Sequence, residues 1–228
     1  MITFLVTMGV FVLPLAVHSP ESESLHDVAR VGLAQRLRSR AGTLSLGLLL
    51  IAIAAATFGA NQLSIDPRLE AIFALSRYGI FERGWVFQFV TGNFIHINLL
   101  HLVANLSVLM VLSAYEWRVG IRRYMNVFLV AAIMSSLIDI FFMNENTITM
   151  GASAGICGLA AAYFLDYQDL SRKDWIVGIL FVLVLVGAYS FRGNVSEGKI
   201  GGAVNWFAHL SGALIGGVYV RMFQIGKS

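Results

Sequence analysis

The chain has 228 residues, a length that suits one compact domain, and its composition lies outside the range of water-soluble proteins. Hydrophobic residues make up 57% of the chain and charged residues 13%, with a mean hydropathy of +0.75, so the bilayer is its expected solvent. The net charge of +3 is spread between apolar runs and forms no basic stripe interleaved with aromatic residues, which argues against a nucleic-acid partner.

Apolar runs long enough to cross a hydrocarbon core recur along most of the chain. They lie near 43–62, 94–114, 124–143, 150–167, 174–191 and 204–222. This pattern predicts an all-α membrane protein whose core, residues 43–223, is a six-helix transmembrane bundle. Residues 1–42 would precede the core, and residues 224–228 would form a short cytoplasmic tail.

The first apolar stretch, residues 2–17, is short, contains Pro14 and lacks the basic start of a secretory signal. It is open to three interpretations: a partial seventh membrane segment, an interfacial anchor, or sequence upstream of the natural start. The polar residues 19–40 that follow are expected in the cytoplasm. This choice puts eleven of the sixteen lysine and arginine residues inside, as the positive-inside rule favours. The starts of the second, fourth and sixth spans then approach the outer face at similar depth.

The loop from about 62 to 86 alternates apolar and charged residues, a pattern typical of a segment at the membrane interface. It would serve either as an anchor and packing element, or as a shield and substrate entry surface beside the site described next.

Ser153 lies in the sequence Gly-Ala-Ser-Ala-Gly, where small neighbours allow a second helix or a substrate backbone to approach closely. Polar groups at membrane depth are candidate functional residues, so Ser153 is a candidate nucleophile. The alternative is a packing seam with an incidental serine. Cys157, the only cysteine, excludes an intrachain disulfide and is interpreted as a small packed residue.

His209 precedes Gly212 and Gly216, which share its helical face and make that face a close-contact surface. If this face packs against the fourth span, the imidazole would reach the Ser153 hydroxyl as a general base. The alternatives are a packed core histidine or a metal or haem ligand. Since the spans offer no acidic residue at the same depth, we expect a Ser-His dyad rather than a triad.

His101 and Asn105 are four residues apart in the second span, so both side chains can point into one cavity as donors to an oxyanion. The alternative is an interhelical hydrogen-bond pair that only holds helices together. The occurrence of this pair with Ser153 and His209 favours catalysis.

At these residues, from about Leu44 to Phe223, the chain resembles the rhomboid family of intramembrane serine proteases. The family motifs are His-x4-His-x3-Asn in the second core helix, Gly-x-Ser-Gly in the fourth and Ala-His-x2-Gly-x3-Gly in the sixth. The resemblance implies that Ser153 is the nucleophile and His209 the general acid and base. It further implies an oxyanion hole formed by the Ser153 N–H, His101 and Asn105, with support from His96, and structural roles for Glu116 and Gly120.

The chain departs from the family pattern at three positions. Ala154 follows the nucleophile where the motif has glycine, a change that Gly155 is expected to accommodate. Trp85 precedes Val86 where many members have a Trp-Arg pair, so the arginine tether of the first loop is absent or is replaced by Arg83. Cys157 stands where some members place a tyrosine beneath the histidine, and Trp206 or Phe207 would have to hold the base instead.

The resulting prediction is a serine endopeptidase in a bacterial inner membrane, multi-pass, with its active site open to the outer face. Its partners would be the lipid bilayer and single-span transmembrane substrates, and no cofactor or metal would be required. Two rivals remain: an inactive rhomboid-like protein that binds membrane helices, and a metal- or haem-binding bundle that uses His96, His101 and His209. The five-residue gap between His96 and His101 turns them apart on an ideal helix, which weakens the last rival.

Overall fold

The computed structural model describes residues 33–60, 63–145, 147–166 and 206–223, together with Thr7 and scattered positions between 172 and 183. The predicted fifth span, 174–191, lies largely outside the described residues, and the apolar stretch 2–17 does so except for Thr7. The described part of the chain is mostly helical. Its elements in chain order are α1 (Leu33–Arg38), α2 (Ala41–Thr57), α3 (Pro67–Phe73), β1 (Leu75–Ser76), a π-helical turn (Tyr78–Glu82), α4 (Gln88–Thr91), α5 (Leu99–Val119), α6 (Ile121–Asp139), β2 (Ile148–Thr149), α7 (Ser153–Leu165) and α8 (Trp206–Met222).

The chain divides into two compact units. The first unit contains residues up to 66 and residues 96–126, and the second contains residues 67–95 and 127 onwards. The boundary falls within α6, so each unit holds part of that helix.

The first unit is built from α2 packed against α5. Asn98 caps α5, because its side-chain oxygen accepts a hydrogen bond of 2.8 Å from the backbone N–H of His101. Gly120 ends α5 with a φ of +80°, a conformation that glycine adopts without steric cost. The buried apolar side chains of the pair are Leu46, Leu50, Ile51, Ala54, Leu102, Leu106, Leu109, Leu112 and Tyr115.

Glu116, buried near the end of α5, binds the first turn of α2. Its two carboxylate oxygens accept hydrogen bonds of 2.6 Å from Gly42 N–H and 2.7 Å from Thr43 N–H. These are amide groups that a helix leaves without an intrahelical acceptor, and they lie at the positive end of the helix dipole. A Cβ at Gly42 would lie 2.9 Å from the Glu116 oxygen, so a larger residue there would push the carboxylate out of its present position. Glu116 thus has the structural role that the resemblance implied.

The second unit contains residues 67–95 of the long loop between α2 and α5, most of α6, and the helices α7 and α8. β1 pairs antiparallel with β2, with Leu75 opposite Thr149 and Ser76 opposite Ile148. A small apolar cluster lies against this ribbon and is formed by Leu75, Ile140 and Met143, with Ile80 and Phe89 packed on it. The strand pairing and the apolar cluster therefore join this loop to the segment between α6 and α7.

Two of the described helices, α5 and α6, are long and apolar enough to cross a membrane, whereas α2 and α7 are apolar but shorter. Two of the predicted spans extend beyond the helices found in the structure, because hydropathy does not show where a helix ends. The predicted 43–62 stops at Thr57, because the chain then becomes extended at Phe58 and bridges to Ile65. The predicted 150–167 starts only at Ser153 and ends at Leu165. The other three predicted spans overlap α5, α6 and α8. Most of their ends differ from the observed helix ends by two to five residues.

Replacing Glu116 by glutamine removes the charge that the first turn of α2 requires, while nearly the same volume remains. We expect Glu116→Gln to lower the free energy of unfolding by about 2 kcal/mol, the typical value for a buried hydrogen bond to a charged group. The measurement is denaturant unfolding in mild detergent. The exposed Glu145→Gln is the matched control, and an equal loss in both variants would contradict this account of α2.

Candidate active site

Ser153 is the first residue of α7 and is placed there by the turn before it. Gly151 has a φ of +113°, which favours glycine, and its N–H donates a 2.8 Å hydrogen bond to the carbonyl of Gly92. The helix begins at once, since Ile156 N–H already bonds to Ala152 O at 3.0 Å. The N–H groups of the first residues of α7 therefore have no acceptor within the helix and are available to a negatively charged group.

The Ser153 hydroxyl lies against the imidazole of His209, which comes from α8. Their Oγ and Nε2 atoms are 2.7 Å apart, the distance of a short hydrogen bond. Both residues are buried, with 5% of Ser153 and 6% of His209 exposed. The pair predicted from separate motifs 56 residues apart thus meets with the geometry that general-base activation of a hydroxyl requires.

This short distance depends on a direct backbone contact between α7 and α8. A Cβ built on Gly212 would collide with the backbone carbonyl of Ala154, and one built on Gly216 would collide with the backbone of Gly158. Neither contact can be relieved by rotating a side chain. The glycine face predicted from the sequence therefore does press α8 onto α7.

Two of the departures from the family pattern lie on α7, in the first turns after Ser153. Gly155 faces the ring and carbonyl of Phe128, where a Cβ would lie 2.6 Å from a ring carbon, and the neighbouring Ala154 is buried. Cys157 is fully buried, which agrees with its interpretation as a packed residue. The ring of Phe207 packs against the ring of Phe142, with centroids 4.5 Å apart and the planes tilted by 43°, and Trp206 is largely exposed.

The other predicted site residues form a cluster within the first unit. His96 lies just before the start of α5 and not within the helix, because the helix starts only after the Asn98 cap. Its Nε2 atom is 2.8 Å from the side-chain nitrogen of Asn105, and its ring lies 5.1 Å from the ring of His101. The spacing argument that set His96 and His101 apart was therefore wrong, because it placed both on one ideal helix.

Metal binding was one use considered for these histidines. Within the described residues, no group of three or more histidine, cysteine, aspartate or glutamate side chains is arranged to hold a metal ion.

Gln88 is a residue of the long loop that sequence reasoning missed. It is fully buried, its side-chain oxygen accepts from the Ser76 N–H at 3.2 Å, and its nitrogen donates to Ile72 O at 2.8 Å. Arg83, the predicted tether, also makes contacts, since its Nε donates to the Tyr78 hydroxyl at 2.9 Å, but it is exposed. The burial of this amide and its partners 12 and 16 residues away are features of the fold, and the sequence carries no signal for them.

The Gly212 contact can be tested by adding one methyl group. We expect Gly212→Ala to separate α8 from α7, to slow reaction of Ser153 with a fluorophosphonate at least about tenfold, and to cost about 1–3 kcal/mol of stability. The matched control is Gly217→Ala, whose new methyl group would press only on the flexible end of Leu165 and make an ordinary contact with Ala161. Equal reactivity of Ser153 in the two variants would show that the backbone contact does not hold the dyad.

Gln88 and Arg83 can be compared directly by hydrogen exchange. In Gln88→Ala, the Ser76 amide loses its acceptor and Ile72 O loses its donor, at a cost of about 1–3 kcal/mol for buried groups. We therefore expect amide exchange across 72–79 to accelerate at least about tenfold, and to change less in Arg83→Ala. A larger acceleration in Arg83→Ala would restore Arg83 as the main tether.

Comparison with known proteins agrees with the motifs. The Rhomboid domain family model matches residues 83–224. RHOMBOID-like protein 7 of Arabidopsis thaliana is 28% identical over 149 residues, which cover 63% of this chain and 45% of that protein. Rhomboid-like protease 5 of Toxoplasma gondii is 29% identical over 161 residues, which cover 68% of this chain and 18% of that protein. Rhomboid-like protein 11, chloroplastic, of Arabidopsis thaliana is 30% identical over 150 residues, which cover 60% of this chain and 52% of that protein.

The chain therefore spans about half of these curated relatives or less. The family match includes α5, α6, α7 and α8, and with them Ser153, His209, His101 and Asn105. Since it covers more than half of the sequence, the chain belongs to the rhomboid family of membrane-embedded proteins.

Proposed function

We propose that this protein is an intramembrane serine endopeptidase that cleaves transmembrane segments of single-span membrane proteins with a Ser153–His209 dyad. The observation that carries the proposal is the 2.7 Å approach of Ser153 Oγ to His209 Nε2 inside a buried, small-residue helix contact. Two relatives, both from Toxoplasma gondii, have names that include the word protease, which agrees with the proposal.

In the proposed reaction, Ser153 Oγ attacks the scissile carbonyl carbon while His209 Nε2 takes the hydroxyl proton. The tetrahedral intermediate collapses to an acyl-enzyme, and His209 gives the proton to the leaving amine. A water molecule then attacks the ester with His209 again acting as base, which restores the serine. Each step needs only the imidazole and one proton, so we propose a dyad without a required carboxylate, cofactor or metal.

The developing negative charge on the carbonyl oxygen needs donors that do not have to reorganise. We assign this role to the Ser153 N–H, at the start of α7, and to the side chains of His101 and Asn105. The Asn105 side chain is buried and held through its nitrogen by His96, so its orientation is defined before substrate arrives.

The expected substrate is a membrane helix that unwinds locally, because intrahelical hydrogen bonds hide the scissile carbonyl. Helix-breaking or small residues near the cut site would lower the cost of unwinding. We propose a multi-pass arrangement with six core spans, the fifth near 174–191, and an active site that opens to the outer face. The relatives reported above are eukaryotic and give no support to the bacterial inner membrane predicted from the sequence.

The direct test is cleavage of a single-span substrate by protein reconstituted in liposomes. Ser153→Ala and His209→Ala are each expected to lower kcat by at least about 10⁴-fold, because a nucleophile and its base act as one unit. The matched control is Ser107→Ala on the exposed side of α5, where the hydroxyl bonds only within its own helix. That variant should stay within about twofold of the unsubstituted protein.

A scan of glycine and proline through the cut site tests the substrate class, and both should accelerate cleavage. Full activity in Ser153→Ala would contradict the proposal. A folded protein that neither cleaves nor reacts with a fluorophosphonate would instead favour the non-catalytic, helix-binding function.

A further inference from the structure

A second pair of buried serines lies beside the proposed dyad, within the second unit. Ser135 of α6 donates a 2.7 Å hydrogen bond to the carbonyl of Ala208, and its Oγ lies 2.8 Å from the Oγ of Ser211. Ser211 Oγ is also 3.1 Å from the same carbonyl. Neither serine takes part in the proposed reaction.

The two hydroxyls carry only two protons, and three short oxygen-oxygen distances must share them. Ser135 lies closer to Ala208 O than Ser211 does, at 2.7 Å against 3.1 Å, and from this difference we infer that Ser135 uses its proton there. Ser211 then donates to Ser135, which gives an ordered chain from Ser211 to Ser135 to Ala208 O. Hydroxyl groups that act as donor and acceptor in a chain polarise one another, and in a low-dielectric interior the chain is specific in direction.

The carbonyl that receives this chain belongs to the peptide group that joins Ala208 to His209. Ser135 therefore bonds to the peptide plane from which the His209 side chain departs. Ser211 lies two residues after His209, about 200° around the helix, so the serine bond and the imidazole occupy nearly opposite sides of α8.

The glycine contacts complete the arrangement. Gly212 sets the distance between α8 and α7, and Ala131 of α6 packs against Gly158 of α7. The Ser135 hydrogen bond joins α8 to α6. The glycine contacts restrain rotation of α8 on the side of α7, and the Ser135 bond restrains it on the side of α6, at the peptide group where a rotation would swing His209 Nε2 away from Ser153.

We propose that Ser135 and Ser211 are positioning residues that hold the His209 imidazole at Ser153 by fixing the Ala208–His209 peptide group to α6. The proposal rests on the proposed function, since the pair matters for catalysis only if His209 is the base. Neither serine touches the reacting atoms.

The test uses Ser135→Ala, Ser211→Ala and the double variant of the full chain in detergent. Ser135→Ala should slow fluorophosphonate labelling of Ser153 and lower kcat for a single-span substrate by about tenfold, with KM changed less than about twofold, because it misplaces a catalytic group without altering substrate contacts. Ser211→Ala should have the smaller effect. The double variant should be no slower than Ser135→Ala, because Ser211 acts through Ser135.

The matched control is Ser136→Ala, the next residue on α6. Its buried hydroxyl bonds to Ala132 O and accepts from Asn93, so it tests the loss of a buried hydroxyl from the same helix without contact to α8. We expect a similar change in thermal midpoint and a labelling rate within about twofold of the unsubstituted protein.

A second readout does not depend on activity. The ¹⁵N signal of His209 Nε2, assigned by its loss in His209→Gln, reports the hydrogen bond with Ser153 directly. Ser135→Ala should shift this signal, whereas Ser136→Ala should leave it in place.

The outcomes separate the two proposals. Unchanged labelling and an unchanged His209 signal in Ser135→Ala would overturn the positioning role, as would a loss of labelling that Ser136→Ala reproduces. If the unsubstituted protein does not react at Ser153 but Ser135→Ala still shifts the His209 signal, the proposed function fails and the positioning role stands.

Discussion

The contact between α7 and α8, made without a Cβ at Gly212 and Gly216, is the constraint on which the candidate site depends. A serine hydroxyl and an imidazole have short reach, so a helix separation set by ordinary side chains would leave them apart. In a bilayer, close packing, interhelical hydrogen bonds and lipid entropy replace the hydrophobic effect as the force between helices. The small residues that make α7 and α8 adhere are therefore also the ones that bring Ser153 and His209 together.

Burial makes the hydrogen bonds of this protein's polar groups specific. The Ser153–His209 bond, the Ser135–Ser211 chain and the Glu116 carboxylate are all buried, where water cannot compete for the hydrogen bonds. The penalty for an unpaired polar group in such a place is larger than the net gain from pairing it. Each group thus adds little net stability, but a helix arrangement that left it unpaired would be strongly disfavoured.

Much of the site could be predicted from the sequence because its elements are local and chemically unusual. Glycines at positions three and seven after His209 define one helical face in any α-helix, and a histidine at membrane depth is a candidate functional residue. The helix ends could not be predicted from hydropathy. The shift of His96 off α5 follows from the Asn98 side chain, and the end of α2 follows from the pairing of Phe58 with Ile65.

The roles of Gln88 and Ser135 were also beyond the sequence. Each depends on a partner distant in the chain, Gln88 on Ile72 and Ser76, and Ser135 on the carbonyl of Ala208. Serine is common and tolerated in membrane helices, so nothing in its spacing marks one that binds the backbone carbonyl before His209. Glu116 was recognised only through family resemblance, because its partners are backbone amides that look the same in every sequence.

The central claim is that His209 makes Ser153 nucleophilic. The most direct measurement is mass-spectrometric mapping of the fluorophosphonate adduct on the folded protein, as a function of time, with and without the His209→Ala substitution. The account predicts an adduct on Ser153 in the unsubstituted protein that is absent over the same time in His209→Ala. An adduct on another serine, or equally rapid modification of Ser153 without the imidazole, would contradict it.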